Sequence, residues 1–196
     1  METTIRWLSL AAWLIWLIVY WRGGVGLASS LARAFRTPAS RRDALLILGI
    51  IVLSNVMLWT GYLIARGRIE EQLLPCPEWL PKVGSFLIAI GAIGTLYCRR
   101  QLGGSWSAQS TLLADHKLVD SGAYRVVRHP IYGFASTMSV GTIMVFPTWW
   151  NVAAGILMAC LYVIKGLVEE KLLADKLPGY REYQQRVRYR IAPWIW

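Results

Sequence analysis

Cysteine, histidine and acidic residues are scarce in this chain of 196 residues, and each shortage removes a class of protein. Three cysteines, Cys76, Cys98 and Cys160, are an odd number in a long chain, so a disulfide scaffold is excluded and the thiols read as free groups in apolar surroundings. Two histidines, His116 and His129, with no cysteine or histidine at ligand spacing beside them, give no metal site. Charged residues make up only 16% of the chain and hydrophobic ones 56%. A soluble domain carries about a quarter charged residues, and a disordered one cannot be this apolar, so both are excluded. No GxGxxG, Walker lysine loop, HExxH, CxxC or GxSxG occurs, and soluble cofactor folds find no support. There is no fixed-period repeat, so a single domain over residues 1–196 is the economical reading.

What the chain does have is apolar length, tryptophan and positive charge. The 21 Lys and Arg against 11 Asp and Glu leave a net charge of +10. Nucleic acid binding would need those cations on a water-soluble face, whereas here they cluster between long apolar runs, which points to membrane lipids as neighbours and to no nucleic acid partner. Many of the 11 tryptophans stand at the ends of those runs, where an amphipathic ring suits the headgroup level. A bilayer core needs roughly 20 apolar helical residues, or fewer where it thins. Five stretches approach that: Ile5 to Trp21, Ala44 to Ala65, Val83 to Tyr97, Ile131 to Phe146, and Trp149 to Val168. The last two are separated by Pro147 and Thr148 and predict a tight helical hairpin. The expectation is an all-α polytopic membrane protein with about five transmembrane helices, three of them in residues 1–98 and two in a catalytic core over 99–196. The interval Gly23 to Ser40 fits either a short interfacial helix or a loop.

The first run, with aromatics throughout and no small-residue cleavage pattern after it, reads as a retained anchor. Basic residues number 1 before the first span, 5 from Arg22 to Arg42, 3 from Arg66 to Lys82, 5 from Arg99 to Arg128, and 7 from Lys165 onward. By the positive-inside rule the amino terminus faces out, and the third connection and the tail are cytoplasmic. The polar residues concentrate in those two segments, so a cytoplasmic pocket is expected. HKLVDSGAYRVVRHPIY, starting at His116, sets Arg125, Arg128, His129 and Tyr132 at the mouth of the fourth span, and Lys165, Glu169 and Glu170 close the fifth. Lys165 and Glu169 stand at i, i+4 on one helical face. Adjacent carboxylates at a membrane boundary are costly unless hydrated or paired, and the hairpin would bring them to His129 and Arg128.

These residues resemble the integral-membrane methyltransferases of the isoprenylcysteine carboxyl methyltransferase and phospholipid methyltransferase type. The likeness rests on H-x-L-V-x-x-G-x-Y-x-x-x-R-H-P-x-Y, present as His116, Leu118, Val119, Gly122, Tyr124, Arg128, His129, Pro130 and Tyr132, and on the glutamate pair about 40 residues later. It extends through Tyr180-x-x-Tyr183 to Pro193. The resemblance implies a prokaryotic inner-membrane enzyme that binds S-adenosyl-L-methionine between the last two spans and their cytoplasmic covering segments. It implies cofactor contacts from His116, Leu118, Val119, Gly122, Tyr124, His129, Pro130, Tyr132, Glu169, Glu170 and Tyr183. Arg128, Lys165 and Glu169 fall at the catalytic centre. Where relatives of the eukaryotic enzyme carry arginine four residues before the glutamates, this chain has Lys165, which can neutralise a carboxylate but cannot grip it bidentately.

The implied acceptor is amphiphilic or lipidated and enters from the bilayer. The carboxylate of a prenylated cysteine is favoured, with a phospholipid amine second. Sterol-type reductases using NADPH share a similar core but are much longer, and a non-enzymatic scaffold would keep the motif only as packing. Plainer readings stand beside the sharp ones. Taken alone, His129 would be a boundary histidine on a backbone carbonyl, Arg128 an interfacial anchor, and the glutamates a solvated helix end. Arg181, Arg186, Arg188 and Arg190 read as headgroup contacts without chemistry, and Gly84, Gly91 and Gly94 as close helix packing.

Overall fold

A computed structural model of the chain describes residues 2–21, 38–69, 77–106 and 118–194. Most of the interval left open after the first span, Cys76 and His116 lie outside them. The described residues form six α-helices: α1 (Glu2–Trp21), α2 (Pro38–Ala65), α3 (Leu80–Leu102), α4 (Pro130–Val145), α5 (Trp149–Lys176) and α6 (Tyr180–Arg186). Short 3₁₀ turns occupy Gly103–Ser105 and Gly122–Arg125. All five expected spans are helical.

Three helical stretches, Arg41–Ala65, Leu80–Ser105 and Trp149–Lys176, are long and apolar enough to cross a membrane, while the apolar helix Thr3–Val19 is shorter and α4 has 16 residues. Only 22–39% of the most apolar window of each long span is buried within the protein. Leu14, Ile15, Phe86, Ile93, Ile156 and Leu157 all face outward, as suits a hydrocarbon solvent.

Close backbone approach joins α3 to α4. A Cβ on Gly84 would sit 2.6 Å from the carbonyl oxygen of Gly141, and the reciprocal distance from Gly141 to Gly84 is 2.5 Å, so only glycine fits either position. About two and three turns further along α3, Gly91 and Gly94 receive Met138 and the ring of Phe134. Helix α1 is stitched on by polar side chains: Trp13 Nε1 donates to Thr142 Oγ1 at 2.9 Å, Trp16 Nε1 to Thr95 Oγ1 at 2.6 Å, and Ser9 pairs with Ser85 at 2.8 Å. In a medium without water such hydrogen bonds have no competitor. Helices α2 and α5 run antiparallel, since Asp43 meets Lys165, Gly49 meets Leu161 and Thr60 meets Asn151.

The α4–α5 hairpin is as tight as its sequence predicts. Thr148 caps α5 by accepting from the Asn151 backbone at 3.2 Å, and the Asn151 amide donates to the Phe146 carbonyl at 2.8 Å. Thr60 from α2 donates to Asn151 Oδ1 at 2.7 Å, so the turn's buried polar groups are satisfied from inside the protein. At the other end, α5 runs on to Lys176 instead of stopping near Val168. Leu173 and Ala174 in this extension pack on Tyr180, Tyr183 and Val187 of the tail, which supplies the tertiary support a polar helix end lacks by itself. Glu169 and Glu170 thus sit inside a helix, not at its end.

Candidate active site

The start of α4 and the last turns of α5 lie at the same end of the bundle, and the tail returns across them. Pro130 occupies the first turn of α4, where its missing N–H costs nothing, and this leaves His129 just outside the helix with its side chain turned toward α5. Residues 127–129 then pair with 189–190: Val127 bridges Tyr189 in parallel, Arg128 N donates to Tyr189 O at 2.9 Å, and His129 N to Arg190 O at 2.7 Å.

Arg128 fastens this junction. Its Nε donates to Glu170 Oε1 at 2.7 Å, and its Nη1 to the carbonyls of Val187 at 2.6 Å and Arg188 at 3.0 Å. Both side chains of the ion pair are buried, at 6% and 7% exposure. The second oxygen of Glu170 receives Arg190 Nε at 3.1 Å and Gln184 Nε2 at 3.5 Å. Glu170 is therefore a hub between α4, α5 and the tail, and the solvated helix end is the wrong reading. Arg190, assigned only to headgroups from the sequence, is a partner of this hub. Arg186 and Arg181 do stay at the surface, paired with Asp120 at 2.8 Å and Asp175 at 3.8 Å.

A second chain of contacts runs through Glu169. Tyr132 Oη donates to Glu169 Oε1 at 2.7 Å, Lys165 Nζ lies 3.1 Å from the same oxygen, and Lys165 also donates to Asp43 Oδ1 at 2.7 Å. The i, i+4 pairing of Lys165 and Glu169 is as the spacing predicts; Asp43, buried on α2, is the member sequence reasoning missed. One signal was available, a carboxylate opening an apolar run, which a membrane setting makes expensive. The faces of Tyr132 are covered by His129 on one side, with centroids 5.5 Å apart, and Tyr162 on the other at 5.3 Å, so only its hydroxyl edge works.

Among the described residues, Asp43, Glu169 and Glu170 thus face Lys165, Arg128 and Arg190. His129 is the member left over. Its Nδ1 is 3.6 Å from Glu169 Oε2 and its Nε2 3.3 Å from Glu170 Oε1, but the angle at Nε2 does not make a hydrogen bond, and this buried nitrogen has no partner among the described residues. The imidazole is thus held between two carboxylates by contacts that leave Nε2 without a well-aligned hydrogen bond.

The other candidates take different places. Gly122 has φ +57, and a Cβ there would collide with the Gln101 side chain, so glycine is required for the turn itself. Tyr124 is buried with its hydroxyl 3.5 Å from the Cys98 carbonyl, and Tyr183 Oη donates to the Tyr124 carbonyl at 2.7 Å. Both tyrosines hold the tail to the helices. Burial pushes the hydroxyls of Tyr180 and Tyr183 far above the ordinary tyrosine range, so both stay neutral, and Tyr183 donates as a neutral phenol. Leu118 packs against the Tyr180–Tyr183–Val187 cluster, and Val119 beside it is half-buried.

Fold and site together define an all-α membrane protein with a buried cluster of paired charges where a helical hairpin meets its own tail. The phospholipid methyltransferase family matches residues 80–178, half of the chain, and the protein belongs to that family. Membership identifies methyl transfer to a lipid-like substrate as its class of chemistry. No curated protein matches the chain.

Proposed function

We propose that the protein transfers a methyl group from S-adenosyl-L-methionine to a lipid-like acceptor, with the carboxylate of a prenylated cysteine as the favoured acceptor. The observation that carries this reading is the buried imidazole of His129 held between Glu169 and Glu170, 3.6 and 3.3 Å from them, with no well-aligned hydrogen bond at Nε2 among the described residues. Two carboxylates and an imidazole suit the zwitterionic, net-cationic methionine end of that cofactor, which supplies an electrophilic methyl group on a sulfonium. His129 Nε2 would bind one polar group there. Glu169 Oε2, the oxygen not taken by Tyr132 or Lys165, would bind its ammonium. Lys165 and Asp43 keep Glu169 in position, and Arg128 does so for Glu170.

A carboxylate acceptor is ionised at neutral pH and needs no general base, so alignment and desolvation suffice. That suits a pocket whose carboxylates already hold cations. The phospholipid amine is the second reading, favoured by the family's name, and its ammonium would have to lose a proton before attacking the methyl group. The charge count supports an inner-membrane protein with its amino terminus outside and the pocket open to the cytoplasm.

Thermal stability of the detergent-purified protein with S-adenosylhomocysteine or NADPH tests the proposal. A ligand at 100 times its dissociation constant stabilises by about 2.7 kcal/mol. Stabilisation by S-adenosylhomocysteine alone, lost in His129→Phe, is the expected result. Stabilisation by NADPH alone would replace the reading with a reductase. Transfer to a prenylcysteine against a phosphatidylethanolamine then separates the two acceptors.

A further inference from the structure

Beside the charged cluster, on the outer side of the α2–α5 contact, lies a groove of about 490 Å³ lined by Arg41, Arg42, Leu45, Leu46 and Leu161. We propose that it binds an anionic phospholipid, with the phosphate between Arg41 and Arg42 and an acyl chain along the leucines. The two guanidiniums are exposed, and no carboxylate pairs with them among the described residues. Their acidic neighbour Asp43 is turned inward to Lys165 at 2.7 Å and cannot serve. Two unpaired forks on one rim match a phosphodiester, which accepts from arginine bidentately.

The groove's floor makes the ligand a lipid and not a soluble phosphate. Leu45, Leu48 and Val52 follow helical spacing on α2, and Leu157 follows Leu161 on the antiparallel α5, all but Leu161 strongly exposed. They continue the groove away from the arginines as one apolar track, the path an acyl chain would take from a phosphate anchored at the rim. The site is independent of which acceptor is methylated. It also adjoins the pocket, because Arg42 is next to Asp43 and Leu161 is one turn before Lys165.

The test is native mass spectrometry of the delipidated protein with equimolar phosphatidylglycerol and phosphatidylcholine, and with glycerol 3-phosphate in a separate arm. One phosphatidylglycerol should be retained per chain, with a preference on the order of tenfold over phosphatidylcholine. The Arg41→Gln/Arg42→Gln double variant, altered only at exposed positions, should lose that preference. Leu45→Trp, which narrows the track, should weaken retention of phosphatidylglycerol. Equal retention of the two lipids by the parent protein, a preference that survives in the double variant, or glycerol 3-phosphate held as firmly as phosphatidylglycerol would each overturn the proposal.

Discussion

Replacing Glu170 with alanine removes the counter-ion of a guanidinium that is 6% exposed, together with the acceptor for Arg190 and Gln184. Breaking a buried ion pair on one side costs about 3–5 kcal/mol, because the remaining charge is desolvated and unpaired. Arg128 keeps the Val187 and Arg188 carbonyls at 2.6 and 3.0 Å, which offsets part of that. The loss should therefore lie near the lower bound, about 3 kcal/mol, or an apparent Tm lowered by about 6–12 °C for a chain of this size. Thermal denaturation in detergent measures it. Limited proteolysis should cut Glu170→Ala earlier in the tail than the parent, since its tether has been loosened. Arg128→Met/Glu170→Leu, which removes both charges, should lose less than the sum of the single variants. An unchanged Tm in Glu170→Ala, or strict additivity in the double variant, would refute the hub assigned to this residue.

Two more outcomes follow from the same geometry. Asp43→Ala removes the carboxylate 2.7 Å from the buried Lys165 and should cost about 3 kcal/mol, whereas Asp43→Leu combined with Lys165→Met should recover part of it, as thermal denaturation of the three proteins would reveal. Tyr183→Phe deletes a buried hydrogen bond and should lower stability by about 1 kcal/mol near neutral pH. Its alkaline behaviour should change as well. Folding keeps the Tyr183 proton while the unfolded chain ionises above about pH 10, so this contribution is complete below that pH and lost as pH rises beyond it. The stability of Tyr183→Phe should accordingly fall less steeply than the parent's above about pH 10.

Apolar runs alone placed all five hydrophobic helices, three of them long enough to span, because in a bilayer the backbone has few other options. The hairpin was legible from Pro147 and Thr148, and the glycines of α3 from their spacing. So was the meeting of His129 with the glutamates, since a hairpin returns the chain to the face it left. The partners of Lys165 were only half legible. Glu169 is one turn away, but Asp43 is 122 residues distant and enters through the packing of α2 on α5, which no local pattern encodes. Arg128 was read as a group at the catalytic centre, yet three of its contacts fasten Glu170 and the tail. Two of those acceptors are main-chain carbonyls, which look the same in every sequence. Arg190 could not be told from Arg181, Arg186 and Arg188, because register, not composition, decides which arginine reaches the hub.

The return of residues 187–190 over the start of α4 also sets an order of events during synthesis. Each span can insert and find its neighbour as it leaves the ribosome, and α4 and α5 are complete while the tail is still being translated. Until residues 187–190 emerge, the guanidinium of Arg128 lacks two of its acceptors and Glu170 lacks the guanidinium of Arg190. A nascent chain therefore passes through an inserted bundle whose Arg128–Glu170 cluster is incomplete, and only the arrival of the tail completes it. Any half-made copy left in the membrane would carry the helices with these charges only partly paired.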